Sequence, residues 1–227
     1  MLKEKQMKKM LLSPFCAPLI VVVYISLFFI THLTATTDTI FHFTDTTLDT
    51  LTYVVYALAG VVVIWAARDF KGTQFKTFIL FAFLFVCALL REMGVQHWLT
   101  KTDTTAFKLK FFTNPNNPIH EKLIAGYILI VIAIIAVYLL VRFLPTLIKS
   151  FFQLNPISWT ICTLGGIGII GKIADRLPGN YRKAMEMPLD PSIHAYIKLF
   201  EESSESALPL LFALALIQYH FYIKKSS

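Results

Sequence analysis

Cysteine is scarce in this chain: three occur in 227 residues, at positions 16, 87 and 162. Each lies within or beside an apolar run, and no two stand at metal-binding or redox spacing, which excludes a disulfide framework. The residues before Cys16, Leu12-Ser13-Pro14-Phe15, are too bulky for lipoprotein processing. Charge is also sparse, at 15% of residues, well below the roughly 25% of an ordinary soluble domain. No Ser/Gly/Pro-rich linker divides the chain. No His-Glu-x-x-His or Glu-x-x-His motif occurs, and no inverted repeat of the transporter kind is visible.

What is abundant is apolar surface. Hydrophobic residues make up 56% of the chain and the mean hydropathy is +0.63, so the sequence reads as a membrane protein. The expected fold is all-α: one polytopic transmembrane helical bundle of about six spans, forming a single integral membrane domain over residues 1–227. The net charge of +7 does not point to nucleic acid, because the basic residues are scattered among apolar segments. Anionic headgroups of membrane lipids are the simpler partners, and an envelope protein partner or a homo-oligomer stays open.

The spans are expected near residues 11–31, 51–67, 77–98, 123–144, 157–177 and 200–222, each long enough to cross a bilayer core or nearly so. The first is read as an uncleaved helix, since Leu33 is too large two positions before Ala35 for signal-peptidase processing. The Thr/Asp-rich stretch 32–50 is expected as an outer loop, with Asp45 and Asp49 at the N-terminus of the second span. Asn117-Pro118, Asn155-Pro156 and Asp190-Pro191 each read as a helix cap followed by a first-turn proline. Pro145 is expected to interrupt the fourth helix, leaving residues 146–154 as a short interfacial segment, and Pro178-Gly179 to stop the fifth. Gly165, Gly168 and Gly171, at intervals of three, read as a close-packing stripe.

Six spans put both termini on one side of the membrane. With those termini in the cytosol, eleven Lys and Arg fall inside and ten outside, so the totals decide nothing. Four lysines precede the first span, however, and no Lys or Arg lies between His32 and Thr50. That asymmetry sets an N-in, C-in expectation in an inner membrane of bacterial type. Trp65 and Trp159 then fall at inner ends and Trp98 at an outer one.

Charges are costly at membrane depth, and this topology gathers them at one level: Arg91 and Glu92 from the third span, Lys172, Asp175 and Arg176 from the fifth, and Glu201, Glu202 and Glu205 from the sixth. Glu92, Asp175, Glu202 and Glu205 are the candidate catalytic groups, because paired carboxylates in unlike surroundings can divide into acid and base. Arg91, Lys172, Arg176 and Glu201 are the candidate substrate-binding groups, the three cations being suited to a phosphate. The same carboxylates, with His97 or His194, could take a metal, whose identity is unknown, as is that of any other cofactor.

The first functional expectation is therefore a periplasm-facing site that binds or processes a lipid or lipid-linked substrate. A proton- or ion-coupled carrier and a non-enzymatic envelope scaffold are the alternatives, as is a purely structural salt-bridge network. The Arg91-Glu92 pair together with Glu-Glu-x-x-Glu at 201–205 resembles patterns in bacterial multi-span inner-membrane proteins, a resemblance that implies no activity. A looser likeness, to the ceramidase-like superfamily of membrane amide hydrolases, lacks that family's histidine-rich site: His32, His42, His97, His120, His194 and His220 form no matching motif.

Overall fold

The computed structural model describes residues 2–95 and 109–226 of the chain. It is 87% helical, with no strand among the described residues. His97, Trp98, Lys101 and Lys108, and with them the expected end of the third span, lie outside the described residues. Nine α-helices follow one another among the described residues: α1 (Leu2–Leu11), α2 (Cys16–Thr31), α3 (Thr37–His42), α4 (Asp49–Ala66), α5 (Gly72–Glu92), α6 (Leu109–Thr113), α7 (Ile119–Phe152), α8 (Pro156–Met185) and α9 (Pro191–Ser226). A π-helical turn, Phe43–Leu48, joins α3 to α4, and a single 3₁₀ turn, Ala67–Asp69, ends α4.

Among the described residues, four helical stretches are long and apolar enough to cross a membrane: Thr37–Asp69, Gly72–Glu92, Ile119–Phe152 and Pro156–Met185. The expected first span differs. Its helix breaks at Leu12–Phe15 around Pro14, which has no N–H to continue the ladder, and restarts as the 16 residues of α2, about 24 Å of helix. The expected sixth span lies within α9.

Local chemistry explains where several boundaries fall. The Asn155 side chain accepts from the amides of Ile157 (3.0 Å) and Ser158 (3.3 Å), and Asp190 does the same for Ser192 (2.9 Å) and Ile193 (3.3 Å). Both expected cap-and-proline starts are therefore present. The third is not: Asn117 is buried and donates instead to the Phe111 carbonyl at 2.8 Å.

Three other expectations are corrected. The stretch 32–50 is largely helix, because its threonines satisfy their hydroxyls on the backbone of the preceding turn, Thr46 on His42 (2.6 Å), Thr50 on Thr46 (2.7 Å) and Thr44 on Phe41 (2.9 Å). Thr36 caps this helix, so Asp45 and Asp49 lie along it rather than at its start. Pro145 lies inside α7, which runs on to Phe152 and leaves no separate interfacial segment. Pro178-Gly179 lies inside α8, which ends at Met185 with Glu186 in the left-handed region at φ 56°. A single proline removes one backbone bond, and membrane helices absorb that loss.

The chain groups into two compact units, Met1–Asp69 with Lys149–Ser227, and Phe70–Ile148. The first is built around α9, which packs against α8, α4, α2, α3 and the π-turn. Towards the C-terminal end of α9, Leu211 and Leu214 pack with Cys16, Ala17 and Val21 of α2. Towards its N-terminal end, Ala195 and Leu199 pack with Phe28, Ile40 and Leu48. Tyr24 of α2 shares a 3.0 Å hydrogen bond with Ser206, and Tyr196 donates to the His32 carbonyl at 3.2 Å.

In the second unit, Phe111 is fully buried against Ala125, with Phe112 alongside, and the Lys122 ammonium donates to the Asn114 carbonyl at 2.7 Å. Most of the large side chains of α7 are exposed. An apolar surface of that extent suits lipid as its solvent.

Candidate functional site

The glycine stripe on α8 determines how close α9 can come. A Cβ at Gly171 would meet the Ser204 Cβ at 3.3 Å, and one at Gly168 would meet Leu208 at 3.6 Å. Gly171 therefore packs as expected. Gly165 does not: nothing lies within 4 Å of the space its Cβ would fill. Close approach at Gly171 brings the next residue of α8, Lys172, against α9.

Lys172 is the centre of the charged end of this unit. Its ammonium lies 2.7 Å from the Asp175 carboxylate on its own helix and 3.1 Å from the Glu205 carboxylate on α9. Glu205 is only 16% exposed and Lys172 42%, so the pair is half withdrawn from solvent and worth more than a fully exposed one. Glu201, one helical turn before Glu205, is set against Asp175 and within electrostatic range of Lys172 and Glu205. Glu202 is half-buried on the same turn.

Arg176 makes no hydrogen bond or ion pair with any described residue. Arg91 and Glu92 are the last two residues of α5, in the second unit. His194, considered as a metal ligand, is exposed with its ring edge against Phe41, centroids 5.5 Å apart. The carboxylates of Asp175, Glu201, Glu202 and Glu205 are oxygen donors of the kind a hard cation takes, with the Lys172 ammonium already among them.

Three further groups, Asp45, Asp49 and Lys198, belong to the charged end and were not among the candidates. Asp45, on the π-turn, is ion-paired with Lys198 of α9. Asp49, one turn further on, lies within electrostatic range of Asp45, Lys198 and Glu205. The available signal was helical spacing: Lys198 stands three and four residues before Glu201 and Glu202.

At the opposite end of α9 a separate polar set is buried. Gln218, with no exposed surface, accepts from the Thr160 hydroxyl at 2.7 Å and donates to the Leu11 carbonyl at 2.9 Å. His220 meets the Asp69 carboxylate at 2.6 Å, with the Trp65 ring 4.3 Å away. Trp159 stacks on Phe151 at this same end. These contacts tie α1, α4 and α8 to α9.

Beside Lys172, α8 also carries an open groove of about 520 Å³. Leu164, Gly165, Gly168 and Leu208 line its apolar end, and Lys172, Arg176 and Asn180 line the other. One lysine thus borders both the carboxylates and the groove. No protein-family model, curated protein or solved structure matches this chain.

Proposed function

We propose that this protein is a six-span inner-membrane protein with both termini in the cytosol, whose charged end on α8 and α9 faces the periplasm and binds or processes a lipid or lipid-linked substrate. The observation that carries this reading is the position of Lys172, between the half-buried carboxylates of α9 and an apolar groove. A lipid needs both surfaces at once, one for a chain and one for a polar head.

The two spans added to the four long apolar helices are α2 and α9. The first is shorter than a bilayer core, a mismatch that flanking residues and local thinning absorb at modest cost. The second carries more polar residues, and these are buried against α2, α4 and α8 rather than turned to lipid. Orientation rests on the four lysines before the first span.

Within the site, Glu205 is paired with a cation, whereas Glu201 faces another carboxylate. Unlike neighbours of this kind are what divide two carboxylates into an acid and a base. The test is to purify the full chain in mild detergent, identify bound lipid by mass spectrometry, and compare wild type with Glu202→Gln and Glu205→Gln. We expect lipid on the wild type, and both variants folded but altered in lipid binding or turnover. Unfolding of both variants, with neither lipid nor metal on the wild type, would reduce the cluster to a structural network. Proton-coupled flux in proteoliposomes, abolished by Glu205→Gln, would replace this reading with the carrier.

A further inference from the structure

The groove on α8 has a polarity gradient that matches one class of molecule. From Leu164 to Lys172 is eight residues, about 12 Å of helix, close to the depth of one leaflet of a bilayer core about 30 Å thick. Over that length the lining is apolar, and Gly165 leaves open the volume a side chain would take. Beyond it Lys172, Arg176 and Asn180 enter the lining, with Ile173 between them.

The charges at that polar end are not equivalent. Lys172 is already held by Asp175 and Glu205, whereas Arg176 has no ionic partner among the described residues. An unpaired guanidinium presents a planar fork of donors that fits phosphate oxygens, and the Asn180 amide one turn further on adds a neutral donor.

We propose that this groove holds one acyl chain of an anionic phospholipid, with the lipid phosphate on Arg176 and Asn180. The proposal rests on the lipid-related reading above and narrows it to a headgroup whose negative charge is not cancelled by a cation of its own. The chain lies over Gly165 and Gly168 against Leu208, and Lys172 separates the bound headgroup from the carboxylates of α9.

The experiment is native mass spectrometry of the full chain released from detergent, titrated with phosphatidylglycerol and with phosphatidylcholine of identical acyl chains. Wild type should retain phosphatidylglycerol about tenfold better, the size of one charge-assisted pair. Arg176→Gln should abolish that preference, lowering the retention of phosphatidylglycerol far more than that of phosphatidylcholine, whose choline cation offsets its phosphate. Gly165→Leu, which fills open space and introduces a better helix former, should lower the retention of both lipids without changing the melting temperature. Equal retention of the two lipids by wild type would overturn the assignment of an anionic headgroup and leave the broader lipid reading standing. Retention of neither would remove both. A doubled mass lost in Gly165→Leu would overturn the proposal in favour of a second copy seated in the groove.

Discussion

Helices α7 and α9 are nearly the same length, 34 and 36 residues, and are built on opposite plans. The apolar window of α7 has a mean hydropathy of 3.0 and is 11% buried, with Ala125 and Leu139 its only buried residues. Helix α9 buries Ser203, Ser204, Ser206, Gln218 and His220 together with Ala, Leu and a proline. In water the apolar helix would be the core; in lipid an apolar side chain gains little by leaving the solvent. Small and hydrogen-bonding residues therefore collect on the central helix, where close backbone approach and satisfied polar groups hold neighbours together, and bulky aliphatic residues are left facing outward.

Core truncation separates the two helices most sharply. Leu211→Ala on α9 should destabilise the protein by about 2–5 kcal/mol, and Ile134→Ala on α7, 62% exposed, by no more than about 0.5 kcal/mol; unfolding in one detergent, read by circular dichroism, measures both. Equal losses would mean that α7 is packed as tightly as α9. Next comes Gln218→Ala, which strands the Leu11 carbonyl and should cost about 1–3 kcal/mol by the same assay. Tyr24→Phe removes a single hydrogen bond to Ser206, worth about 0.5–1.5 kcal/mol. Smallest is Lys172→Met, where loss of a half-exposed ion pair should shift stability by about 0.2–1 kcal/mol. A larger shift there would make the charged end a structural lock, and a double-mutant cycle with Glu205→Gln would measure the coupling.

How much of this was legible in the sequence depended on the range of each signal. The caps at Asn155 and Asp190 are local, set by a side chain reaching two or three residues on, and they were readable. The prolines at 145 and 178 were misread because helix-ending rules weigh the one backbone bond a proline removes, and a helix of 30 residues or more carries enough others to run on past it. Threonine-rich composition at 32–50 suggested a loop, yet threonine hydroxyls can fold back on the helix that carries them. The glycine stripe was half right: six residues on a helix rotate by about 120°, so Gly171 packs on Ser204 while Gly165 opens on the groove. For the site, spacing on single helices grouped Lys172 with Asp175 and Glu201 with Glu205. That Lys172 joins the two helices, and that Arg176 turns to the groove, depends on the rotation of α8 against α9, which one helix's sequence does not encode.

We propose above all that the polar end of α8 opens to water on the periplasmic side while α7 faces lipid. Asn180→Cys and Ile134→Cys, each in a background with Cys16, Cys87 and Cys162 replaced, can be treated with a membrane-impermeant charged maleimide applied from outside intact spheroplasts. Rapid labelling at position 180 and none at 134 is the expected outcome. Labelling at 180 only after the cytosolic face is exposed, or labelling at 134 from outside, would contradict it.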